Sequence, residues 1–388
     1  MPTAGKIHSN SAEVSTGGAV DLQRRRILKA LALAPLLSSS IFGSLSGCGS
    51  GSETGDAPAA SPETRTWEMG FFCTPPRLDA AAMLQTIDLF TSRAELAVLH
   101  EELPWTDLLG GMSPDAILER DKVGLVNYLR GKGLRLFFMA DLTDGLARDQ
   151  EAPQLRRLGR SITEPVVQQY YRDYVRTVAL KLQPDYIGLA AETNLIRTVA
   201  PPAVYDGVVQ AANDAAADLQ TAAVTAPLLI SVQVETAWGV LAGPGAYTGV
   251  EQDFSDFPFT QILGLSSYPY FSFARPEDIP DDYYSRLLNG RALPSMVCEG
   301  GWSSASLGTF ISSPELQARY ITRHAGLLDS IEAEAVAQTL FADIDLDGWP
   351  QPIPANLPLF TAIGLTDDNF SPKAALAAWD ALFARSKV

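Results

Sequence analysis

Glu192 and Glu299 are the residues whose types and positions suggest chemistry. Glu192 closes the apolar run Tyr186-Ile187-Gly188-Leu189-Ala190-Ala191 and is followed by Thr193 and Asn194. Glu299 closes Ser295-Met296-Val297-Cys298 and is followed by Gly300, Gly301 and Trp302. Buried parallel strands read as continuous apolar runs, and in an α/β barrel the residues at their carboxyl ends form the mouth where chemistry is done. Either glutamate alone reads equally well as a solvated loop acid or a charge at a helix start. Two of them at one mouth form a carboxylate couple, an arrangement suited to moving a proton and displacing a leaving group together.

Such a couple needs strands to present it. From Trp67 onward, short apolar runs alternate with longer amphipathic stretches, the pattern of repeated βα units around a parallel sheet. Eight units can be counted, with strands expected at 66–72, 94–100, 134–141, 185–191, 227–234, 261–267, 294–299 and 338–345. Shortness marks them as strands, since periodicity alone does not separate them from buried helix segments. Ser113-Pro114-Asp115, Thr163-Glu164-Pro165, Ser313-Pro314-Glu315 and Ser371-Pro372 each set a capping residue beside Pro or acid and predict helix starts. The connection 235–260 holds Gly and Pro and reads as mostly irregular. Residues 66–388 are therefore expected to form one α/β domain, a single (β/α)8 TIM barrel, with Glu192 ending strand four and Glu299 ending strand seven.

Composition agrees with a globular chain: 46 % of the 388 residues are hydrophobic and 19 % charged. Acidic residues outnumber basic ones, 45 to 29, and the net charge of −16 argues against a nucleic-acid or anionic-membrane surface. The amino end is a separate matter. Arg24-Arg25-Arg26-Ile27-Leu28-Lys29 precedes an apolar stretch, 30–42, that is interrupted by Pro35 and shorter than the roughly 20 residues a membrane-spanning helix needs. It resembles the twin-arginine signals of bacteria. Leu45-Ser46-Gly47-Cys48 resembles the lipobox of bacterial lipoproteins, which implies a signal peptide over 1–47, a diacylglyceryl group on Cys48 and anchorage of the exported protein at the cell envelope. The plainer alternative is an ordinary small-residue cleavage site with an incidental cysteine. Residues 48–65, rich in Gly, Ser, Ala and Pro, read as a flexible tether. Cys73 and Cys298 sit in apolar runs and read as buried free thiols.

The sixth run continues as Ile262-Leu263-Gly264-Leu265-Ser266-Ser267-Tyr268-Pro269-Tyr270, and the chain closes with Gly364-Leu365, Ser371-Pro372-Lys373 and Trp379. With the two glutamates, these segments resemble the retaining glycoside hydrolases of the large barrel clan whose acid/base and nucleophile end strands four and seven, notably the endo-β-1,4-galactanases. Glu299-Gly300-Gly301-Trp302 is similar to their Glu-Thr-Gly-Trp run. The resemblance covers roughly residues 66–385 and is strongest after residue 180. It implies Glu192 as general acid/base, Glu299 as nucleophile and Tyr268 as the neighbour that holds or tunes the nucleophile. In that chemistry a protonated carboxyl serves the leaving oxygen, while an ionised one about 5 Å away attacks the anomeric carbon, and their repulsion raises the acid's pKa.

Two positions depart from the clan's pattern. Ala191 stands where most members have Asn, whose amide holds the sugar's 2-hydroxyl, and strand two ends Val98-Leu99-His100-Glu101-Glu102 without the usual arginine. The alternative is therefore a barrel that binds carbohydrate without turning it over, or serves the envelope as a scaffold.

An oligo- or polysaccharide partner calls for aromatic faces and polar edges around the mouth. Strand-end candidates are His100, Glu101 and Trp105 after strand two, Asp141 and Asp144 after three, Asn194 after four, and Gln233, Glu235 and Trp238 after five. Tyr268, Trp302, Asp345 and Trp349 follow strands six to eight. Core packing is the competing reading for each tryptophan, and a hydrogen-bonded structural role for His100. No cofactor or metal is expected. The chain has three histidines, of which His8 lies in the signal segment and His324 in a helical stretch. Asp343, Asp345 and Asp347 are spaced like the start of a calcium loop but lack its later glutamate, so they read as the end of strand eight facing the cleft. Neither a phosphate-binding glycine loop nor a Gly-x-Ser-x-Gly elbow is found. The protein is expected to be a monomer that meets the membrane only through the lipid on Cys48 and binds no nucleic acid.

Overall fold

The computed structural model describes residues 64–388 except 244, 309 and 350; the signal segment, Cys48 and the tether up to residue 63 lie outside the described residues. Eight strands close a barrel in chain order: β1 (Glu68–Phe72), β2 (Leu96–Glu102), β3 (Arg135–Asp141), β4 (Tyr186–Ala190), β5 (Leu228–Gln233), β6 (Ile262–Ser267), β7 (Ser295–Gly300) and β8 (Ala335–Gln338). Every neighbouring pair is parallel. The longest helices, Pro165–Leu182, Pro202–Thr221 and Pro314–Asp329, follow β3, β4 and β7. The chain is thus a (β/α)8 barrel.

Strand alternation sorts the side chains. Leu96 and Val98, Phe137 and Met139, and Met296 and Cys298 pack together in one buried cluster that fills the barrel. The residues between them, Ala97, Leu99, Leu136, Phe138 and Val297, join the larger core beneath the helices. Cys73 and Cys298 are both buried and free.

Two bulges break this alternation just before the two glutamates. Register shifts between Gly188 and Ala190 on β4 and between Val297 and Glu299 on β7. On β4 the shift moves Ala191, rather than Ala190, into the cluster inside the barrel. A bulge turns the residues beyond it, and here those residues are the glutamates.

At the opposite end, the first residues of the strands are laced by ion pairs. Glu68 receives Arg135 Nη1 at 2.7 Å and Lys387 Nζ at 3.1 Å, and Arg65 Nη2 meets Glu95 at 2.7 Å. Thr64 and Arg65, expected as the last tether residues, instead pair in parallel with Ser386 and Lys387.

Seven strands lie within about two residues of expectation, but the eighth does not. Ala335–Gln338 forms β8, whereas 338–345 was expected. The alanines of Ala335-Val336-Ala337 favour helix when read locally, and pairing with β7 and β1 overrides that preference. The more apolar Leu340, Phe341 and Ala342 are buried in the connection that follows. Ser113 and Ser313 cap their helices, accepting from Ala116 N and Leu316 N at 3.3 Å each, and Pro165 opens its helix. The last helix begins at Ala374 with Lys373 at its cap, so Ser371 is not the cap. Among the described residues no helix is long and apolar enough to cross a membrane.

Candidate active site

Glu192 follows β4 in a left-handed backbone conformation, φ 50° and ψ 46°, and begins the helix Thr193–Val199. That conformation is uncommon for a residue with a side chain and is retained where its surroundings enforce it. Its N–H donates to Ser231 Oγ on β5 at 2.9 Å. One carboxylate oxygen accepts from Ser266 Oγ on β6 at 2.6 Å and the other from Arg148 Nε at 2.8 Å. Across the mouth, Glu299 accepts from the Tyr268 hydroxyl at 2.8 Å and lies 3.1 Å from His100 Nδ1. Tyr268 also meets Thr339 Oγ1 at 3.0 Å.

His100 and Asp141 complete a continuous chain between the two glutamates. His100 Nε2 lies 3.0 Å from Asp141 Oδ2, and Asp141 Oδ1 accepts from Arg148 Nη1 at 2.6 Å. The order is Glu299, His100, Asp141, Arg148, Glu192, with acid and base alternating. β2 lacks an arginine, and His100 supplies the cation to Glu299 from that strand.

Electrostatics separates the two glutamates. Burial works against a charged imidazole, yet hydrogen bonds to Asp141 and Glu299 push His100 up to about 10, so at neutral pH it carries a proton on each nitrogen. Burial would raise Asp141, but Arg148 and His100 hold it well below the usual carboxylate range. Burial also opposes ionisation of Glu299, and His100, Arg148 and Tyr268 reverse the balance and lower it. Glu192 moves the other way: burial and the Glu299 charge raise it, against the pull of Arg148 and Ser266. One carboxyl favours the proton and its neighbour favours the charge.

The remaining sequence candidates are engaged elsewhere. Glu101 alternates with His100, so it points away from the mouth and pairs with Lys122. Asn194 exchanges hydrogen bonds with the Gln233 backbone, at 2.9 and 2.7 Å, and so does not stand in for the amide absent at Ala191. The Gln233 side chain binds Glu235 and accepts from Thr236 N at 2.6 Å. Glu235 is fully buried; it accepts from the Tyr283 hydroxyl at 2.7 Å and Tyr268 N at 3.0 Å, and burial pushes it up to about 7. It anchors the segment carrying Tyr268. Trp238 has the Tyr283 ring 5.3 Å away and the Arg286 guanidinium 4.9 Å over its ring. Trp105 is fully buried, as is Trp302, whose Nε1 donates to Ser312 Oγ at 2.9 Å. Asp144 pairs with Arg156 at 2.9 Å.

Asp345 lies beyond the end of β8 and accepts from Asp347 N at 3.1 Å, while Asp343 binds Lys373 Nζ at 2.6 Å. The expectation of a strand-eight end here is therefore corrected. Among the described residues no group of three or more His, Cys, Asp or Glu is arranged to hold a metal ion.

Sequence reading missed Arg148. It lies on an antiparallel hairpin after β3, Thr143–Asp144 paired with Ala147–Glu151. Asp144-Gly145, a common hairpin-turn dipeptide, was the available signal.

No protein-family model and no curated protein matches the chain. Solved structures do. An exo-β-1,4-mannosidase from Opitutaceae bacterium strain TAV5 is 16 % identical with a TM-score of 0.61, over 84 % of this chain and 62 % of that one. GH5_18 from Streptomyces cattleya in complex with GlcNAc is 16 % identical at TM-score 0.57, over 82 % of this chain and 80 % of that one. The Ignisphaera aggregans GH53 catalytic domain is 13 % identical at TM-score 0.54, over 84 % and 98 %. At these identities the likeness is one of fold, and the fold is the TIM barrel on which these glycoside hydrolases are built.

Proposed function

We propose that this chain is a retaining glycoside hydrolase with Glu192 as general acid/base and Glu299 as nucleophile. The observation that carries the reading is a pair of glutamates at the mouth of a glycoside-hydrolase-like barrel, Glu299 held by His100 and Tyr268 and Glu192 by Arg148 and Ser266. The contacts of Glu299 favour its charge, while burial and that charge favour the proton on Glu192. Glu299, kept ionised by His100 and Tyr268, attacks the anomeric carbon, and the bond to the leaving oxygen breaks as Glu192 gives that oxygen its proton. Glu192, now a carboxylate, takes a proton from water, which displaces Glu299 and releases the sugar with its anomeric configuration retained. The substrate is an oligo- or polysaccharide. The twin-arginine and lipobox segments support export and anchorage at the bacterial cell envelope through lipid on Cys48.

A specific observation favours a second reading, a carbohydrate-binding barrel without turnover. Ala191 offers no amide to a sugar hydroxyl, and Arg148 and Ser266 already occupy both oxygens of Glu192. The test is a panel of oligosaccharides and aryl glycosides given to the protein and to Glu192→Gln and Glu299→Gln. The hydrolase reading expects Glu299→Gln to abolish release and Glu192→Gln to lower it on the order of 10²–10⁴-fold where the leaving group is poor. Sugar binding with no release by the native protein establishes the second reading instead.

A further inference from the structure

The hairpin after β3 brings one buried cation to the site, and that cation touches both a catalytic carboxyl and the acid that serves its partner. Arg148 and Glu192 have side chains only 4 % and 8 % exposed. Nε of Arg148 donates to Glu192 Oε2 at 2.8 Å; Nη1 donates to Asp141 Oδ1 at 2.6 Å and to Thr143 Oγ1 at 3.1 Å. A planar guanidinium held at two corners by two carboxylates has no rotational freedom left. Its carrier is also fixed. Asp144 is paired with Arg156, Glu151 accepts from Ile162 N at 3.2 Å, and the Leu146 carbonyl accepts from Asn356 Nδ2 at 2.7 Å. Ser266 closes on Glu192 from the opposite side.

We propose, resting on the hydrolase reading, that Arg148 is the positioning residue of the acid/base. It clamps Glu192 against Ser266 and joins it through Asp141 and His100 to Glu299, so that the two glutamates titrate as one system. The groups facing Glu192 are Arg148 on the hairpin, Ser231 on β5, Ser266 on β6, Tyr268 just after it, and Cys298 and Glu299 on β7, while Asp141 on β3 meets the far corner of Arg148. His100 on β2 reaches it through Asp141 and Glu299. Of these, Arg148 is the one cation in contact.

The decisive measurement is the titration of Glu192, followed by carbon NMR of the protein carrying carboxyl-labelled glutamate and assigned with Glu192→Gln. Arg148→Met keeps the bulk and removes the charge. It is expected to raise the Glu192 midpoint by about one to three pH units, the usual effect of an adjacent guanidinium in reverse. The alkaline limb of kcat/KM should follow it upward. Asp141→Asn is expected to do the opposite, because the acid that shares Arg148 is gone and the full cation falls to Glu192. This second variant keeps the hydrogen-bonding shape and decides the matter if Arg148→Met does not fold. A midpoint unmoved by either change in folded protein, or moved upward by Asp141→Asn, overturns the proposal. The titration needs no turnover. Inactivity of the native protein therefore counts against the hydrolase reading, and an immobile midpoint against Arg148.

Discussion

At the scale of single residues, His100 has the sharpest consequence. Its folded pKa of about 10 lies above the ordinary histidine value, so its contribution to stability is fully present below about pH 6.5 and is lost as pH rises through 10. Melting temperature measured from pH 6 to pH 10 should therefore decline, and His100→Gln should flatten that decline; equal slopes would show that His100 is not charged in the fold. In the same variant the acidic limb of any glycosidase activity should move upward, because Glu299 loses the partner that lowers it. Glu192, Glu299, Tyr268, His100 and Asp141 could be picked from sequence because each lies where a strand ends. Which way each points could not be read so simply. Glu101 is one residue from His100 and faces away, and Asn194 and Gln233 satisfy each other. Arg148 was hidden because Ala147-Arg148-Asp149-Gln150-Glu151 has the polarity of any surface hairpin.

At the scale of elements, the bulges of β4 and β7 aim the glutamates, and their glycines fit tightly. A Cβ on Gly300 would sit 2.4 Å from the Ser267 carbonyl, which is backbone and has little room to yield. Gly300→Ala should lower stability by about 1–3 kcal/mol, the range for overpacking, in urea unfolding. It should also impair any glycosidase activity by displacing Glu299; native-like stability would mean that β6 and β7 separate more easily than this contact suggests. Strand positions were legible because buried parallel strands are continuous apolar runs. β8 was not, because four residues, two of them alanines, held by their neighbours on both sides look like helix when read alone. Bulges leave no apolar signature, and nothing in the runs leading up to the two glutamates marked them.

At the scale of the whole molecule, eight βα repeats made the barrel readable, and the closure at its base was not foreseen. Thr64–Arg65 and Ser386–Lys387 are polar, two residues long and far apart in the chain, and only closure of the barrel brings them together. Removing Ser386–Val388 should cost about 1–2 kcal/mol in urea unfolding, for the few hydrogen bonds lost and the Lys387–Glu68 pair. An unchanged midpoint would show that the barrel closes without this staple. The same pairing fixes how the protein can be held. Residues 64 and 387 both leave from the face where the strands begin, while Glu192 and Glu299 open on the face where they end. A bead, a membrane or a fusion partner attached by either end would therefore join the barrel at its base, leaving the mouth on the far side, unobstructed by the attachment and open to a polymer too large to diffuse to it.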